Sequence, residues 1–320
     1  FLRNKHGDAM PQRGWDTVTT PGAVAGWVAL SERFGKLPFA DLMEPAIELA
    51  ERGHGVGIIV ANKWARQVPA LQNQPGYAEA FLPRGRAPLA GERFVFTEAG
   101  ATLRKIAESK GESFYRGEIA EKLVAHAAAH GGSMTLADLA AYAPEWVTPI
   151  QKDFAGHTLH EIPPNGQGIA ALMALGMLDK LGLGSMPVDS IESQHLQIEA
   201  MKLAFADTYR WVADARYMTD VSAADLLSDG YLSERAKLIR TDRASTFAHG
   251  TPPKGGTVYL AAADESGRMI SFIQSNYMGF GSGIVVPGTG VSLQNRGHGF
   301  TLQDGHPNQV APGKRPFHTI

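Results

Sequence analysis

The stretch Pro252-Pro253-Lys254-Gly255-Gly256-Thr257-Val258-Tyr259-Leu260 separates two sequence patterns and decides which fold to expect. Its two prolines and two glycines are typical of an exposed loop. From Thr257 onward the residues alternate as in a β-strand, and the turn at 264–267 leads to a second such run at 269–275. The stretch therefore predicts a loop that runs directly into a β-hairpin.

Upstream of this loop the sequence is mostly helical in pattern. Residues 23–35 and 42–52 have apolar positions at helical spacing, and we expect Gly53 to form a left-handed cap. A helical first part and a sheet-rich second part predict an α+β fold with helices packed on sheets. Further expected elements are a helix opened by a Thr135/Asp138 capping box, a strand at 157–162, a helix at 169–181, and a long helix that Ser190 caps and that buries Leu196, Ala200, Leu203 and Ala204.

The composition favours a globular protein that acts on small molecules. The 320 residues are 44% hydrophobic, and 30 basic side chains nearly balance 32 acidic ones, so we expect neither nucleic acid nor a membrane as a partner. The absence of cysteine excludes disulfides and a cysteine nucleophile, but leaves cytoplasm and periplasm equally open. Because the chain begins at Phe1 without Met and stops at Ile320 within an ordered-looking segment, we expect it to be truncated at both ends.

Thr257 is a candidate nucleophile. A threonine at a chain terminus can use its own α-amine as the base, since this amine titrates near pH ~7.7 to 8. Gly255 and Gly256 make the preceding peptide easy to distort, as self-cleavage before Thr257 requires. From these residues alone, an ordinary loop entering a strand is the better explanation of the pattern.

Other groups of residues offer weaker candidates. His126 and His130 have the spacing of metal ligands on a helix but lack a third ligand nearby. The glycine loop at 279–283 lacks the Lys-Ser/Thr ending of a phosphate-binding loop, and Ser282 lacks an evident His-Asp pair. Arg315 fits an anion-binding role and a structural one equally well. We therefore expect neither a metal site nor a cofactor.

Eight segments resemble, in order and spacing, landmarks of the gamma-glutamyltransferase family. The upstream segments are similar to its large subunit and the downstream segments to its small subunit. They are 20–27, 44–47, 134–139, 163–168, 257–260, 264–267, 281–290 and 313–316, so the resemblance extends over nearly the whole chain.

The resemblance implies a four-layer αββα sandwich of the N-terminal-nucleophile hydrolase type. It also implies self-cleavage between Gly256 and Thr257, so that residues 1–256 belong to a large subunit and 257–320 to a small one within one integrated catalytic domain. The implied reaction is hydrolysis or transfer of a γ-glutamyl group, such as that of glutathione, without a cofactor. The expected partners are the two subunits of the same precursor and a small-molecule amide.

Carried over position by position, Thr257 matches the family's nucleophile and Ser275 a hydroxyl that supports it. The carboxylate-clamping Arg and the oxyanion Gly-Gly pair of the family would lie beyond the ends of this chain. The positions expected to bind substrate are Tyr277, Arg296, His298, His318 and Thr319.

Several of these positions depart from the family pattern. Tyr277 stands where the family has Asn, His298-Gly299 replaces an acidic pair, and His318-Thr319 replaces Ser-Ser. Because the acidic residue normally holds the glutamyl α-amino group, the departures favour an alternative: an acylase for a glutaryl-like or other acyl amide, of the β-lactam side-chain type. A third possibility, from another class, is an unprocessed and catalytically silent binding or structural homologue.

Overall fold

The structure is a computed structural model that describes residues 1–247 and 258–319. Within this part of the chain, helices and short antiparallel strands alternate. The helices are α1 (Leu2–His6), α2 (Ala23–Phe34), α3 (Phe39–Arg52), α4 (Ile58–Leu71), α5 (Tyr77–Phe81), α6 (Thr97–Ser109), α7 (Glu112–Tyr115), α8 (Glu118–Ala129), α9 (Leu136–Ala140), α10 (Ile169–Lys180), α11 (Ile191–Trp211), α12 (Ala223–Leu226) and α13 (Asp229–Ala236). The strands are β1 (His54–Gly55), β2 (Arg93–Phe94), β3 (Ile150–Phe154), β4 (His157–Glu161), β5 (Val258–Ala263), β6 (Met269–Gln274), β7 (Val285–Val286) and β8 (Val291–Ser292).

The chain divides into two compact units. Among the described residues, the first unit contains 1–10, 146–247 and 299–319, and the second contains 11–145 and 258–298. The chain therefore enters each unit more than once, and residues far apart in sequence share a hydrophobic core.

The core of the first unit lies around α10 and α11. Helix α10 is apolar on nearly all sides and packs against α11, α13 and β3. The predicted stripe on α11, from Leu196 to Ala204, is buried in this core. Phe317 joins the same cluster, so the end of the described chain is anchored to these two helices.

The second unit has two apolar clusters. One surrounds Ile47 of α3 and Leu123 of α8, and the other is an aromatic cluster that includes Trp64 and Phe81. The short strand β7 joins both, since Val286 contacts the first cluster and Val285 the second. This strand therefore anchors the segment that follows the β5–β6 hairpin.

The described strands pair in antiparallel twos: β1 with β2, β3 with β4, β5 with β6, and β7 with β8. In the β5–β6 hairpin, Val258 pairs with Gln274 and Ala263 with Met269. The predicted α+β class is confirmed in this form, with helices and small sheets. None of the helices in the described ranges is long and apolar enough to cross a bilayer.

Most predicted local elements are confirmed. Thr135 and Asp138 form the expected capping box before α9, and the Ser190 hydroxyl accepts a hydrogen bond from the Ser193 N–H at the start of α11. The predicted cap at Gly53 is wrong in detail. Its φ of 79° is positive, but its ψ of 166° lies outside the left-handed helical region. A side chain there would collide with the Phe94 carbonyl, so packing against β2 explains this glycine.

Candidate active site

The expected cleavage site, Gly256 and Thr257, lies outside the described residues. The β5–β6 hairpin nevertheless shows which residues lie next to the expected cleavage site. Val258, the residue after Thr257, pairs with Gln274, the residue before Ser275. The half-buried Ser275 hydroxyl accepts a hydrogen bond of 2.9 Å from the Tyr277 N–H. Ser275 is therefore at the end of the strand that pairs with the start of β5.

Tyr277 has an unusual backbone and an unusual side chain. Its φ of 73° lies in the left-handed region, where a bulky side chain is strained by roughly 1 to 3 kcal/mol. The side chain is only 2% exposed, and within the described part of the chain its hydroxyl has no hydrogen-bond partner. Burial raises the pKa of this hydroxyl. Strain and a buried polar atom together cost stability, which is common at functional sites.

Arg296 and His298 lie beside Tyr277. The Arg296 guanidinium carbon is 4.8 Å from the centre of the Tyr277 ring, and the His298 ring centre is 6.1 Å from it. Arg296 is 5% exposed, and this burial lowers its pKa to about 10, although Tyr277 acts in the opposite direction. The His298 Nδ1 lies 3.0 Å from the Pro11 carbonyl, to which it donates when protonated. The structure thus brings three predicted substrate-binding residues together around one aromatic ring.

The turn that carries Tyr277 is held by two residues that the sequence analysis missed. The Asn295 Oδ1 accepts a hydrogen bond from the Met278 N–H, and the Arg13 guanidinium donates one to the Met278 carbonyl. No motif marks Arg13, and only its position next to predicted landmarks could have drawn attention to Asn295.

His318 and Thr319 belong to the first unit, whereas Ser275, Tyr277 and Arg296 belong to the second. His318 forms a parallel bridge with Gly166: its N–H donates to the Asn165 carbonyl at 2.9 Å, and its carbonyl accepts from the Gln167 N–H at 2.9 Å. The turn at 163–168, one of the family landmarks, therefore orients the His318 backbone.

Gly299 is packed too closely to carry a side chain. A Cβ there would lie 2.5 Å from the Phe317 carbonyl oxygen, far inside normal contact distance. Asn308 bonds to both backbone segments that meet here: its Nδ2 donates to the Gly299 carbonyl at 2.7 Å, and its Oδ1 accepts from the Phe317 N–H at 2.9 Å. An acidic side chain at this position would require the backbone at 317 to move.

The segment before His318 is fixed by a buried carboxylate. Asp214 accepts hydrogen bonds from Arg216 and from the Arg315 N–H at 3.0 Å. Burial raises the pKa of Asp214, but these hydrogen bonds outweigh it and lower the pKa to about 2. The backbone of Arg315 thus has a structural role that spacing alone could not reveal, because Asp214 lies 101 positions upstream.

The weaker candidates have structural explanations. The Ser282 hydroxyl is buried and donates to the Leu293 carbonyl at 2.8 Å. The ring centres of His126 and His130 lie 4.1 Å apart with the rings tilted by 32°, and no cluster of three metal-ligating side chains occurs in the described ranges. A Cβ at Gly281 would lie 2.4 Å from the Leu293 carbonyl oxygen, and one at Gly283 would lie 2.7 Å from the Gln74 side chain, so close packing explains both glycines.

These features define a class of protein. A hairpin from Val258 to Gln274, a hydroxyl directly after its second strand and a glycine-rich turn follow the order of the family landmarks in the sequence. The family model described as Gamma-glutamyltranspeptidase matches residues 1–320, and the chain belongs to this family.

Particular relatives narrow the comparison. The chain is 36% identical to a glutathione hydrolase-like proenzyme, YwrD, of Bacillus subtilis over 98% of its length, and 38% identical to an oxamate amidohydrolase proenzyme of Klebsiella pneumoniae over 97%. Its structure is similar to that of a cephalosporin acylase from Bacillus halodurans, with a TM-score of 0.92, 46% identity and 99% of this chain covered. In each case the match covers 59% of the relative, so the chain spans about three fifths of their length.

Proposed function

We propose that the full-length protein is an amidohydrolase that cleaves itself before Thr257 and then uses Thr257 as an N-terminal nucleophile. The observation that carries this proposal is the hairpin geometry. Strand β5 begins at Val258 and pairs with the strand that ends next to Ser275, so a new terminus at Thr257 would be attached to a sheet beside a hydroxyl. The names of both curated relatives include the word proenzyme, in agreement with cleavage.

Self-cleavage would exchange one bond for another. The Thr257 hydroxyl attacks the Gly256 carbonyl carbon, the peptide bond is replaced by an ester, and the amide nitrogen takes up the hydroxyl proton. Water then hydrolyses the ester. The products are a carboxylate on Gly256 and a free α-amine on Thr257.

The same hydroxyl then acts on the substrate. Thr257 Oγ attacks the amide carbonyl, its α-amine accepts the proton and returns it to the leaving amine, and an acyl-enzyme results. Water or the amine of an acceptor releases the acyl group. Ser275, whose Oγ accepts from the Tyr277 N–H, would use its own proton to orient the nucleophile.

We assign residues 1–256 to the large subunit and 257–320 to the small one, as parts of one catalytic domain. Both parts contribute to the second unit, where residues 11–14 contact 278–298. We also propose the four-layer αββα arrangement. A lone two-stranded hairpin is marginally stable, and the exposed apolar residues of β5 and β6 suit strands that lie in a larger sheet.

One candidate substrate is a γ-glutamyl amide such as glutathione. The similarity to a glutathione hydrolase-like protein supports it. Arg296 lies against the ring of Tyr277, whose N–H bonds to Ser275, and a guanidinium suits a carboxylate of the acyl group.

The second candidate is the amide of a glutaryl-like acid, which has a distal carboxylate but no α-amino group. The contact between Gly299 and the Phe317 carbonyl favours it, because there is no space for the acid that would hold an amino group. The names of two relatives, a cephalosporin acylase and an oxamate amidohydrolase, also support an acyl group other than γ-glutamyl.

The first experiment is intact mass spectrometry of the full-length protein and of its Thr257→Ala variant. We expect two fragments that meet at Gly256 and Thr257 in the wild type only, and an activity loss of at least about 10³-fold in the variant. An uncut, inactive wild type would instead support a catalytically silent homologue.

The two substrates can be separated with matched probes. Glutaryl-p-nitroanilide is γ-glutamyl-p-nitroanilide without its α-amino group, so the ratio of kcat/KM measures recognition of that group alone. A higher value for the glutaryl compound would establish the acylase candidate, and a higher value for the γ-glutamyl compound would reject it.

A further inference from the structure

The turn that follows Ser275 is held in an unfavourable backbone conformation. Three residues of this turn have positive φ: Tyr277 at 73°, Gly279 at 46° and Gly281 at 62°. Glycine adopts such values readily, but tyrosine does not. The conformation at Tyr277 must therefore be imposed by contacts from outside the turn.

Asn295 supplies two of these contacts. It is fully buried, its Oδ1 accepts from the Met278 N–H at 3.2 Å, and its own N–H donates to the Asn276 carbonyl at 3.3 Å. Its Nδ2 donates to the Gln12 carbonyl at 2.8 Å. The backbone and side chain of this one residue thus hold the peptide groups on both sides of Tyr277, and the side chain ties them to the segment at residues 11–14.

Arg13 holds the same turn from that segment. Its guanidinium donates to the Met278 carbonyl at 2.9 Å and to the Gly281 carbonyl, and it reaches Gln67 at 3.4 Å. A planar guanidinium suits two carbonyls in a fixed geometry, which a lysine ammonium cannot reproduce. Burial lowers the pKa of Arg13, and the carbonyl contacts compensate for the loss of water.

Other residues of the segment at 11–14 also bond to the turn and to the predicted site residues. The Gly14 N–H donates to the Ser282 carbonyl at 3.0 Å, and the Pro11 carbonyl contacts His298. Residues 11–14 therefore contact the turn and the substrate-binding residues at several consecutive positions.

We propose that Arg13 and Asn295 are positioning residues for the active site. They keep Tyr277 in its left-handed conformation, which places its ring beside Arg296 and its N–H on the Ser275 hydroxyl. The proposal rests on the proposed function, because Ser275 and Tyr277 are assigned there. Without either residue the turn relaxes to ordinary φ values, and both groups move away from their positions.

The test uses the full-length protein with the Arg13→Gln, Arg13→Lys and Asn295→Asp variants. Asn295→Asp keeps the acceptor for Met278, removes the donor to Gln12 and places a carboxylate oxygen against that carbonyl. The control is Arg84→Gln, which removes an exposed ion pair with Glu92 elsewhere in the second unit. kcat, KM, the cleaved fraction and Tm are measured for each.

We expect Arg13→Gln and Asn295→Asp to lower kcat/KM about 10- to 100-fold, with a fall in kcat and most of the protein folded and cleaved. Arg13→Lys should recover part of the loss, and Arg84→Gln should match the wild type. Unchanged kcat and KM in both variants would overturn the proposal. So would a loss of activity that only follows a loss of folded protein.

A second readout separates this proposal from the proposed function. Near-UV circular dichroism of the wild type and of Tyr277→Phe identifies the signal of the immobilised Tyr277 ring. Arg13→Gln should reduce that signal even if the wild type is neither cleaved nor active. An unchanged signal would overturn the positioning role, whereas an inactive wild type by itself would reject only the proposed function.

Discussion

The β5–β6 hairpin and the segment at 275–298 are adjacent in sequence and belong to the same unit, yet their environments differ. In the hairpin, Met269 is 84% exposed, Ile270 42% and Ile273 40%. In the following segment, Val286 and Asn295 are buried, and the side chains of Gln294 and Asn295 donate hydrogen bonds of 2.8 Å to the Thr19 and Gln12 carbonyls. One region is enclosed by the chain, and the other presents apolar side chains to solvent.

This difference indicates that the two regions depend on different parts of the chain for their packing. Apolar residues of the segment at 275–298, among them Ile284, Val286 and Leu293, pack against residues 11–145. The hairpin expected to carry the nucleophile exposes its apolar side chains in this chain, which spans 59% of the length of its relatives. We therefore expect the hairpin, but not the segment at 275–298, to depend on further residues in the full-length protein.

The largest contrast should come from two glycines. Gly281→Ala should destabilise the 320-residue chain by about 3 kcal/mol or more, because its φ is 62° and a Cβ would lie 2.4 Å from the Leu293 carbonyl. Gly267→Ala in the hairpin turn has a similar φ of 81° but nothing within 4 Å, so about 1 kcal/mol is expected. Urea unfolding measures both, and equal costs would show that the two regions are packed alike.

The second contrast uses one substitution in two contexts. Ile273→Ser should change the stability of the 320-residue chain by less than about 0.5 kcal/mol, because the side chain is 40% exposed. In the full-length protein the same change should cost roughly 1 to 3 kcal/mol if further residues bury it. Val286→Ser, at a buried position, should be costly in both. A small effect of Ile273→Ser in the full-length protein would contradict a covered hairpin.

The smallest effect tests the buried hydroxyl of Tyr277. Tyr277→Phe should leave stability unchanged or raise it by up to about 1 kcal/mol, because that hydroxyl has no partner among the described residues. Tyr115→Phe is the control: the Tyr115 hydroxyl donates to the Pro21 carbonyl at 2.8 Å and accepts from the Ala25 N–H at 3.1 Å. Its loss should cost about 1 kcal/mol. A comparable loss in Tyr277→Phe would indicate a hydrogen bond that the described residues do not show.

The sequence by itself determined the local elements and the family. The capping box at Thr135, the Ser190 cap and the β5–β6 hairpin were predictable because their partners lie within a few residues of each other. The order of the family landmarks also singled out Ser275 and Tyr277, whose roles remain predictions.

Only the tertiary structure revealed how the site is held together. The Arg13 guanidinium bonds to a carbonyl 265 positions away, and Gly299 has no space for a side chain because of Phe317. Neither contact produces a periodic pattern or a spacing, since a backbone carbonyl accepts a hydrogen bond whatever side chain its residue carries. Which carbonyl a given arginine reaches depends on the packing of distant segments, and this is decided only when the chain is folded.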